Sequence, residues 1–190
     1  MTLFKVFDFD GTLVDFDSTE KFFFQSAREK RKKWISIIIL LLKVLSKLGF
    51  ISVKKAKEIL LNLLFHSYED FNFSAEEFGQ AIRLNQIAKE VNPGHTDTIV
   101  ISASLETILK SAMPEISVIG SKVIFENNRF KISAHPFRHE KAHILGELIQ
   151  DKQFIFYTDS KNDIPCAELA TTTYWVKNGE IFKITGEQPS

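Results

Sequence analysis

Asp8 and Asp10 stand one residue apart at the end of the apolar run Leu3-Phe4-Lys5-Val6-Phe7, and Gly11 follows at once. The run reads as a buried strand, and residues two apart in a strand point to the same side. Both carboxylates can therefore face one spot at the strand's carboxyl end, where the glycine lets the chain turn away from the sheet. Two acids on one face repel unless a cation or a proton is shared between them. Such a pair suits a hard-metal site in which one carboxylate attacks and the other moves a proton. The same letters taken alone also fit a surface Asp-Gly turn after an edge strand, so the rest of the chain has to decide.

Two further apolar runs end in chemistry. Thr98-Ile99-Val100-Ile101 leads into Ser102-Ala103-Ser104, and Phe154-Ile155-Phe156-Tyr157 leads into Thr158-Asp159-Ser160-Lys161-Asn162-Asp163. Lys141, in Arg138-His139-Glu140-Lys141, adds a cation near the start of a helical stretch. In open α/β sheets the ligand sits beyond the carboxyl ends of the strands. Parallel pairing would bring these ends to one edge: four acids, a hydroxyl with backbone amides, and a lysine. That group suits Mg²⁺ plus a phosphoryl group. The carboxylates hold the metal, while Ser102, the neighbouring N–H groups at Ala103, and Lys141 neutralise the phosphate.

The elements that must position these groups are legible in outline. From about Asp17 to Glu90 the chain has almost no glycine or proline and reads as helices, with Ser18 or Thr19 as the first cap and Ser74-Ala75-Glu76-Glu77 as a later helix start. Asn92-Pro93-Gly94 closes the block with strong breakers. Strand and helix then alternate. Strands are expected at 98–102, 116–119, 154–157, 174–176 and 181–182, with a hairpin around Asn127-Asn128 and helices at 105–113, 140–149 and 163–170. The expected class is α/β: a Rossmann-like parallel sheet core, 1–16 and 91–190, with a helical cap, 17–90, inserted after the first strand.

Composition narrows the partners. A chain of 190 residues, 44% hydrophobic, can fill a real core. Lys+Arg and Asp+Glu balance at 24 each, so whole-chain charge calls for no nucleic acid. Charge is instead concentrated: residues 28–57 carry ten Lys or Arg against the single acid Glu29, around the aliphatic run Ile37 to Leu42. One cysteine, Cys166, excludes an internal disulfide and a thiolate metal site, which suits a reducing cytoplasm. The N-terminus enters a strand directly, with no charged-then-apolar leader. The five histidines show no metal-ligand spacing and read as structural or surface groups, with His139, beside Lys141, the one to test for a place near a phosphate.

Asp8-Phe9-Asp10-Gly11-Thr12, then a strand ending in Ser102, then Lys141, then Asp159-Ser160-Lys161-Asn162-Asp163 resembles the haloacid dehalogenase-like superfamily of phosphatases over nearly the whole chain. An insertion between the first and second motifs is similar to the small helical-cap subgroup that includes phosphoserine phosphatase. The resemblance implies Asp8 as nucleophile, through an aspartyl-phosphate, and Asp10 as the acid that protonates the leaving oxygen and then activates water. It implies Mg²⁺ held by the Asp8 carboxylate, the Asp10 main-chain carbonyl and Asp159, with Asp163, Asn162 and Thr12 supporting from behind. Many relatives carry Gly-Asp where this chain has Tyr157-Thr158-Asp159, so the turn there is built differently. A narrower resemblance, through Tyr157 to Pro165, His139-Glu140-Lys141, Ser102-Ala103-Ser104 and the basic-then-apolar cap, is to the phosphatidylglycerophosphatase C family of lipid phosphate phosphatases.

The cap sets the expected substrate. Phosphoserine phosphatases meet the substrate's amino group with a glutamate nine residues past the nucleophile; here that position is Asp17, shorter by a methylene. Glu20 and Arg28 are further cap groups that could face the substrate, with a solvated or salt-bridged role as the alternative. A basic, aromatic-flanked apolar helix matches an anionic membrane surface, where each Lys or Arg contributes about 1 kcal/mol. The apolar run is too short to span roughly 30 Å of hydrocarbon. The expectation is a cytoplasmic enzyme, peripheral on the inner membrane face through residues 28–57, that acts on a phospholipid head-group phosphate such as phosphatidylglycerophosphate. The alternatives are a soluble phosphatase for a small metabolite such as phosphoserine, with the cap's aliphatic runs packing only on each other, and a catalytically silent binding module.

Overall fold

Alternation of β-branched or aromatic runs with helical stretches after residue 97 closes into one twisted sheet. The computed structural model describes residues 3–91, 97–150, 152–177 and 179–184. The strands are β1 (Phe4–Phe7), β2 (Thr98–Leu105), β3 (Ser117–Glu126), β4 (Arg129–Ala134), β5 (Phe154–Thr158), β6 (Thr172–Lys177) and β7 (Glu180–Ile184), in the order β4-β3-β2-β1-β5-β6-β7. The five inner strands run parallel and the two outer ones antiparallel. β1 lies at the centre, with Val6 and Phe7 wholly buried, as a strand covered on both faces requires. Phe7 stands opposite Val100 on one side and Tyr157 on the other, so Asp8, Ser102 and Asp159 all leave the sheet at one edge.

Helices α1 (Ser18–Glu29), α2 (Ile35–Lys47), α3 (Val53–Leu64) and α4 (Tyr68–Gln80) come between β1 and β2; α5 (Glu106–Ala112), α6 (His139–Ile149) and α7 (Ile164–Ala167) connect the later strands. α1 is capped by Asp17, whose carboxylate accepts from Glu20 N at 2.8 Å, and not by Ser18 or Thr19. α4 begins two residues after His66, with Ser67 as cap and Glu69 and Asp70 in its first turn, so Ser74 is helix interior and no helix starts there. Two serine cap signals with acids after them stand seven residues apart, and it is the Ser67 side chain that accepts from Asp70 N at 3.2 Å and caps the helix. The expected strand at 116–119 and the first arm of the hairpin expected around Asn127-Asn128 are one strand, β3, whose first half pairs with β2 and second half with β4. Asn127 and Asn128 turn the β3–β4 hairpin with φ of 51° and 59°. The segment 163–170 divides into a 3-10 turn, Lys161–Asp163, and α7. Asn92-Pro93-Gly94 lies outside the described residues.

The phenylalanines explain the helical block. Phe22 stacks on Phe65 with ring centroids 5.6 Å apart, and Phe71, Phe78 and Phe130 close around them. The same cluster takes in Leu105, Ile108, Val123 and Ile132, so α1–α4 share their apolar core with α5 and the β3–β4 hairpin. Asn62 of α3 exchanges two 2.9 Å hydrogen bonds with the backbone of Phe130, and Glu58 accepts from Ile132 N at 3.1 Å. These side chains cover the outer edge of β4 that would otherwise be open for pairing. Phe22→Ala is expected to cost about 3–5 kcal/mol, read as a lowered midpoint in thermal or urea unfolding.

Candidate active site

Lys141 enters the fold from the first turn of α6 and places its ammonium between two carboxylates, 2.7 Å from Asp8 Oδ1 and 2.7 Å from Asp163 Oδ2. All three side chains are buried. Thr158 Oγ1 donates to the same Asp163 oxygen at 2.8 Å, so Asp163 is spent on orienting Lys141. Burial alone would lower the lysine's pKa; Asp8 and then Asp163 reverse this and hold it charged. Asp8 is pushed up to about 7 by burial, with Lys141 opposing and Asp163 adding.

Asp10 is held differently. Its Oδ1 accepts from Ser18 N at 2.9 Å and its Oδ2 from Ser104 Oγ. Ser104 in turn accepts from Ser18 Oγ at 2.9 Å and from Thr19 Oγ1 at 3.2 Å. The first turn of α1 is thereby tied to the end of β2 through the carboxylate that ends the β1 loop. Burial pushes Asp10 up to about 6, and the nearby Asp17 adds to this. A carboxyl poised near neutrality is what a group that alternately gives and takes a proton needs.

Ser102 is buried and its Oγ accepts from Ser104 N at 3.3 Å. The β2–β3 ladder shifts register between Ile101 and Leu105, so Ser102-Ala103-Ser104 bulges out of the sheet at the site's edge. Ala103 O accepts from Lys57 Nζ at 2.5 Å and from Ser121 Oγ. A cavity of about 400 Å³ is lined by Asp8, Asp10, Ser102, Ala103, Lys141 and Asp159, among others. A second, of about 490 Å³, shares Asp10, Asp17, Ala103 and Asn162 with it. The second is walled by Phe23, Ile39, Leu42 and Leu60 and carries Lys57 and Arg138.

The remaining expected residues are placed as follows. Asp17 lines both cavities, but one of its oxygens caps α1. Glu20 lines the second cavity and pairs with Lys43 at 2.5 Å. Asn162 is exposed and accepts from Arg138 Nε at 3.1 Å. Thr12 is fully buried, and its hydroxyl reaches none of the site's carboxylates. His139 is exposed and lines neither cavity, as a surface histidine and not as a group near the phosphate. Cys166 is buried and its thiol pushed up to about 12 by that burial, so it is an inert packing group.

Four residues were given no role in the site from the sequence: Ser104, Lys57, Arg138 and His135. Ser104 and Lys57 reach the site from residues far apart in the chain, and no local spacing marks them. Arg138 sits at the N-cap of α6 with φ 53° and ψ −123°, a strained position for a side-chain-bearing residue, and faces the second cavity. His135 is buried, with Nδ1 2.8 Å from Ser121 Oγ, and burial first, then Lys57 and Lys54, pushes it down to about 3. Its ring is therefore neutral in the fold and must charge on unfolding below its free value near 6.5. The stability this contributes is full above pH 6.5 and is lost as pH falls toward 3. Between pH 7 and 4 the native chain is expected to lose roughly 2–3 kcal/mol more than His135→Asn, measured by urea unfolding at both pH values.

A divalent cation fits the donor set. At Gly11, with φ +73°, a Cβ would fall 2.0 Å from Asp159 Oδ2, so that carboxylate is packed against the backbone that follows Asp10. Asp8, Asp10 and Asp159 are all pushed up, burial being the largest cause in each, as expected of acids short of positive charge. Asp8, Asp159 and the main-chain carbonyl of Asp10 are the hard oxygens that would hold it. Among the described residues no three acidic, His or Cys side chains converge on one point. The reason is that the Asp10 carboxylate turns to Ser104 and Ser18 and Asp163 turns to Lys141, which corrects the picture of four acids around one cation. Gly11→Ala is expected to displace Asp159 and to weaken activating-metal affinity at least about tenfold, read from the metal dependence of turnover.

Residues 6–168 match the family described as haloacid dehalogenase-like hydrolase. No curated protein matches the chain. Among solved structures, a protein of unknown function from Bordetella pertussis Tohama I is similar with a TM-score of 0.75 at 22% identity, over 91% of this chain and 89% of that one. A phosphoserine phosphohydrolase-like protein from Francisella tularensis aligns with a TM-score of 0.61 at 18% identity, over 90% and 86%. Phosphoserine phosphatase from T. onnurineus aligns with a TM-score of 0.60 at 20% identity, over 91% and 82%. At these identities the likeness is one of fold.

Proposed function

Because the chain belongs to the haloacid dehalogenase-like hydrolases, we propose that it is a Mg²⁺-dependent phosphomonoesterase whose nucleophile is Asp8. The observation that carries this reading is the Lys141 ammonium, 2.7 Å from Asp8 in the cavity that also holds Asp10 and Ser102. Asp8 attacks phosphorus, forming an acyl-phosphate bond as the ester P–O bond breaks, and Asp10 gives its proton to the leaving oxygen. Water then attacks phosphorus, the acyl-phosphate bond breaks, and Asp10 takes the water's proton. Lys141, the Ser102 hydroxyl and the Ala103 amide offset the charge of the phosphoryl oxygens, without which one anion would repel the other. Mg²⁺, held by Asp8, Asp159 and the Asp10 carbonyl, supplies further charge neutralisation when bound. Chelation is expected to abolish turnover, and excess Mg²⁺ to restore it.

The leaving group is read from the second cavity. A short polar linker would pass Asp10 into a space that is apolar on one wall and cationic at Lys57 and Arg138. That chemistry fits a phospholipid head-group phosphate whose own phosphodiester meets the cations, such as phosphatidylglycerophosphate, reached at a membrane surface. The Asp17 carboxylate, already used as a cap and lying close to Lys57, is poorly placed to greet an ammonium. The resemblance to the phosphatidylglycerophosphatase C family supports the same substrate. The likeness in fold to phosphoserine phosphatases favours a second reading, a soluble amino-acid phosphate. Turnover of phosphatidylglycerophosphate in anionic vesicles is compared with that of phosphoserine, each with Mg²⁺. The lipid is expected to show the higher kcat/KM by at least about tenfold; a preference for phosphoserine would overturn the lipid reading.

A further inference from the structure

α2 has two unlike faces. Ile35, Ile39 and Leu42 are buried, and Ile39, Leu42 and Ser46 line the second cavity. On the opposite side Trp34, Ile37, Leu41, Val44 and Leu48 recur at three- and four-residue spacing and are exposed, Ile37 to 71% and Trp34 to 56%. Leu40 and, past the helix end, Phe50 at 78% extend the same apolar strip. At 100° per residue the strip covers about a third of the helix circumference. Its ends are cationic: Arg31 and Lys33 lead into it and Lys47 lies in the last turn of α2, all three exposed. Not all of the basic run is available, since Lys30 pairs with Asp70 at 2.6 Å and Lys32 donates to Leu63 O at 2.9 Å. No helix among the described residues is long and apolar enough to cross a membrane.

We propose that this outer face of α2, from Trp34 to Phe50, docks flat on an anionic lipid surface. A strip of large aliphatic side chains flanked by cations is the pattern of a helix that lies in the headgroup region, its apolar side sunk and its bases against lipid phosphates. A second copy of the chain is the poorer occupant, because two such faces would bring like charges together. The docking rests on the lipid reading of the substrate. It sets α2, which contributes Ile39, Leu42, Lys43 and Lys47 to the second cavity, at the lipid surface.

The test is vesicle binding by the whole chain with metal chelated, so that no turnover is needed. Trp34 emission and co-sedimentation are followed with vesicles of phosphatidylcholine alone and of phosphatidylcholine mixed with phosphatidylglycerol. Binding is expected to be at least about tenfold tighter to the anionic vesicles, to weaken with salt, and to blue-shift the tryptophan emission, a shift that Trp34→Phe, left with Trp175 alone, does not show. Ile37→Glu with Leu41→Glu should weaken it at least about tenfold, at the wild-type unfolding midpoint because both positions are exposed. A second variant, Lys33→Glu with Lys47→Glu, should lose the preference for anionic lipid. Equal binding to both vesicles, or undiminished binding by the first variant, would overturn the docking. So would self-association in solution that the first variant abolishes, since the face would then belong to a dimer. Vesicle binding without hydrolysis of the lipid overturns the substrate reading and leaves the docking; lipid hydrolysis in detergent without vesicle binding does the reverse.

Discussion

Asp8→Asn is expected to lower kcat by about 10⁴-fold or more while the circular dichroism spectrum stays native. An amide is close in shape to the carboxylate but is not a nucleophile toward phosphorus, so the variant removes the bond-forming group. Asp8 is buried at the end of the central strand, where the neutral amide is less costly to bury than the charge. Stability is therefore expected to hold even though the hydrogen bond from Lys141 changes character. Turnover by this variant at even a tenth of the wild-type rate would rule out a covalent intermediate on Asp8.

Lys141→Met should combine two large losses. The ammonium lies 2.7 Å from both Asp8 and Asp163, with all three side chains buried, so its removal leaves two acids facing each other with little solvent. Breaking a buried ion pair from one side costs about 3–5 kcal/mol, and here part of it would be recovered by proton uptake on the carboxylates. Urea unfolding at pH 8, where proton uptake is least favourable, should show the larger deficit. Turnover should fall by about 10²-fold or more, since the attack of one anion on another has lost its nearest cation. A variant as active and as stable as the wild type would mean that Lys141 is neither the phosphate's partner nor the acids' counterion.

Much of this site was legible because it is local. Two-residue alternation puts Asp8 and Asp10 on one side of a strand, Gly11 turns the chain, and three apolar runs each end in polar groups. Parallel pairing then does the rest, with Phe7 opposite Val100 and Tyr157. What could not be read is what depends on partners far away in the chain. Ser104 meets Asp10 across 94 residues, and Lys57 meets Ala103 across 46, with no periodicity to announce either. Lys30 and Lys32 read as part of the basic stretch facing a membrane, yet Asp70 and the Leu63 carbonyl claim them. His135 and His139 look alike in sequence, and only the packing of α6 against the β4 end decides which is buried. Asp17 was read for its charge toward the substrate, while a helix start one residue later also needs its oxygen.

The substrate-side residues follow the same logic in reverse. The α2 strip was visible as composition, but whether its aliphatic side chains close on α3 or face outward depends on which arc the fold buries. Ile35, Ile39 and Leu42 take the inward arc, and Ile37, Leu41 and Val44 are left outside it. Both arcs are apolar, so hydropathy alone could not assign them.

The claim beneath every step is that phosphorus becomes bonded to Asp8. Enzyme in excess is mixed with a phosphate monoester and Mg²⁺, quenched in acid within the first turnover, and its peptides are weighed. A phosphoryl group on the peptide that contains Asp8, formed and lost at rates that account for turnover, is the predicted result. Steady release of phosphate with no adduct on that peptide, or an adduct that forms more slowly than product, would contradict it.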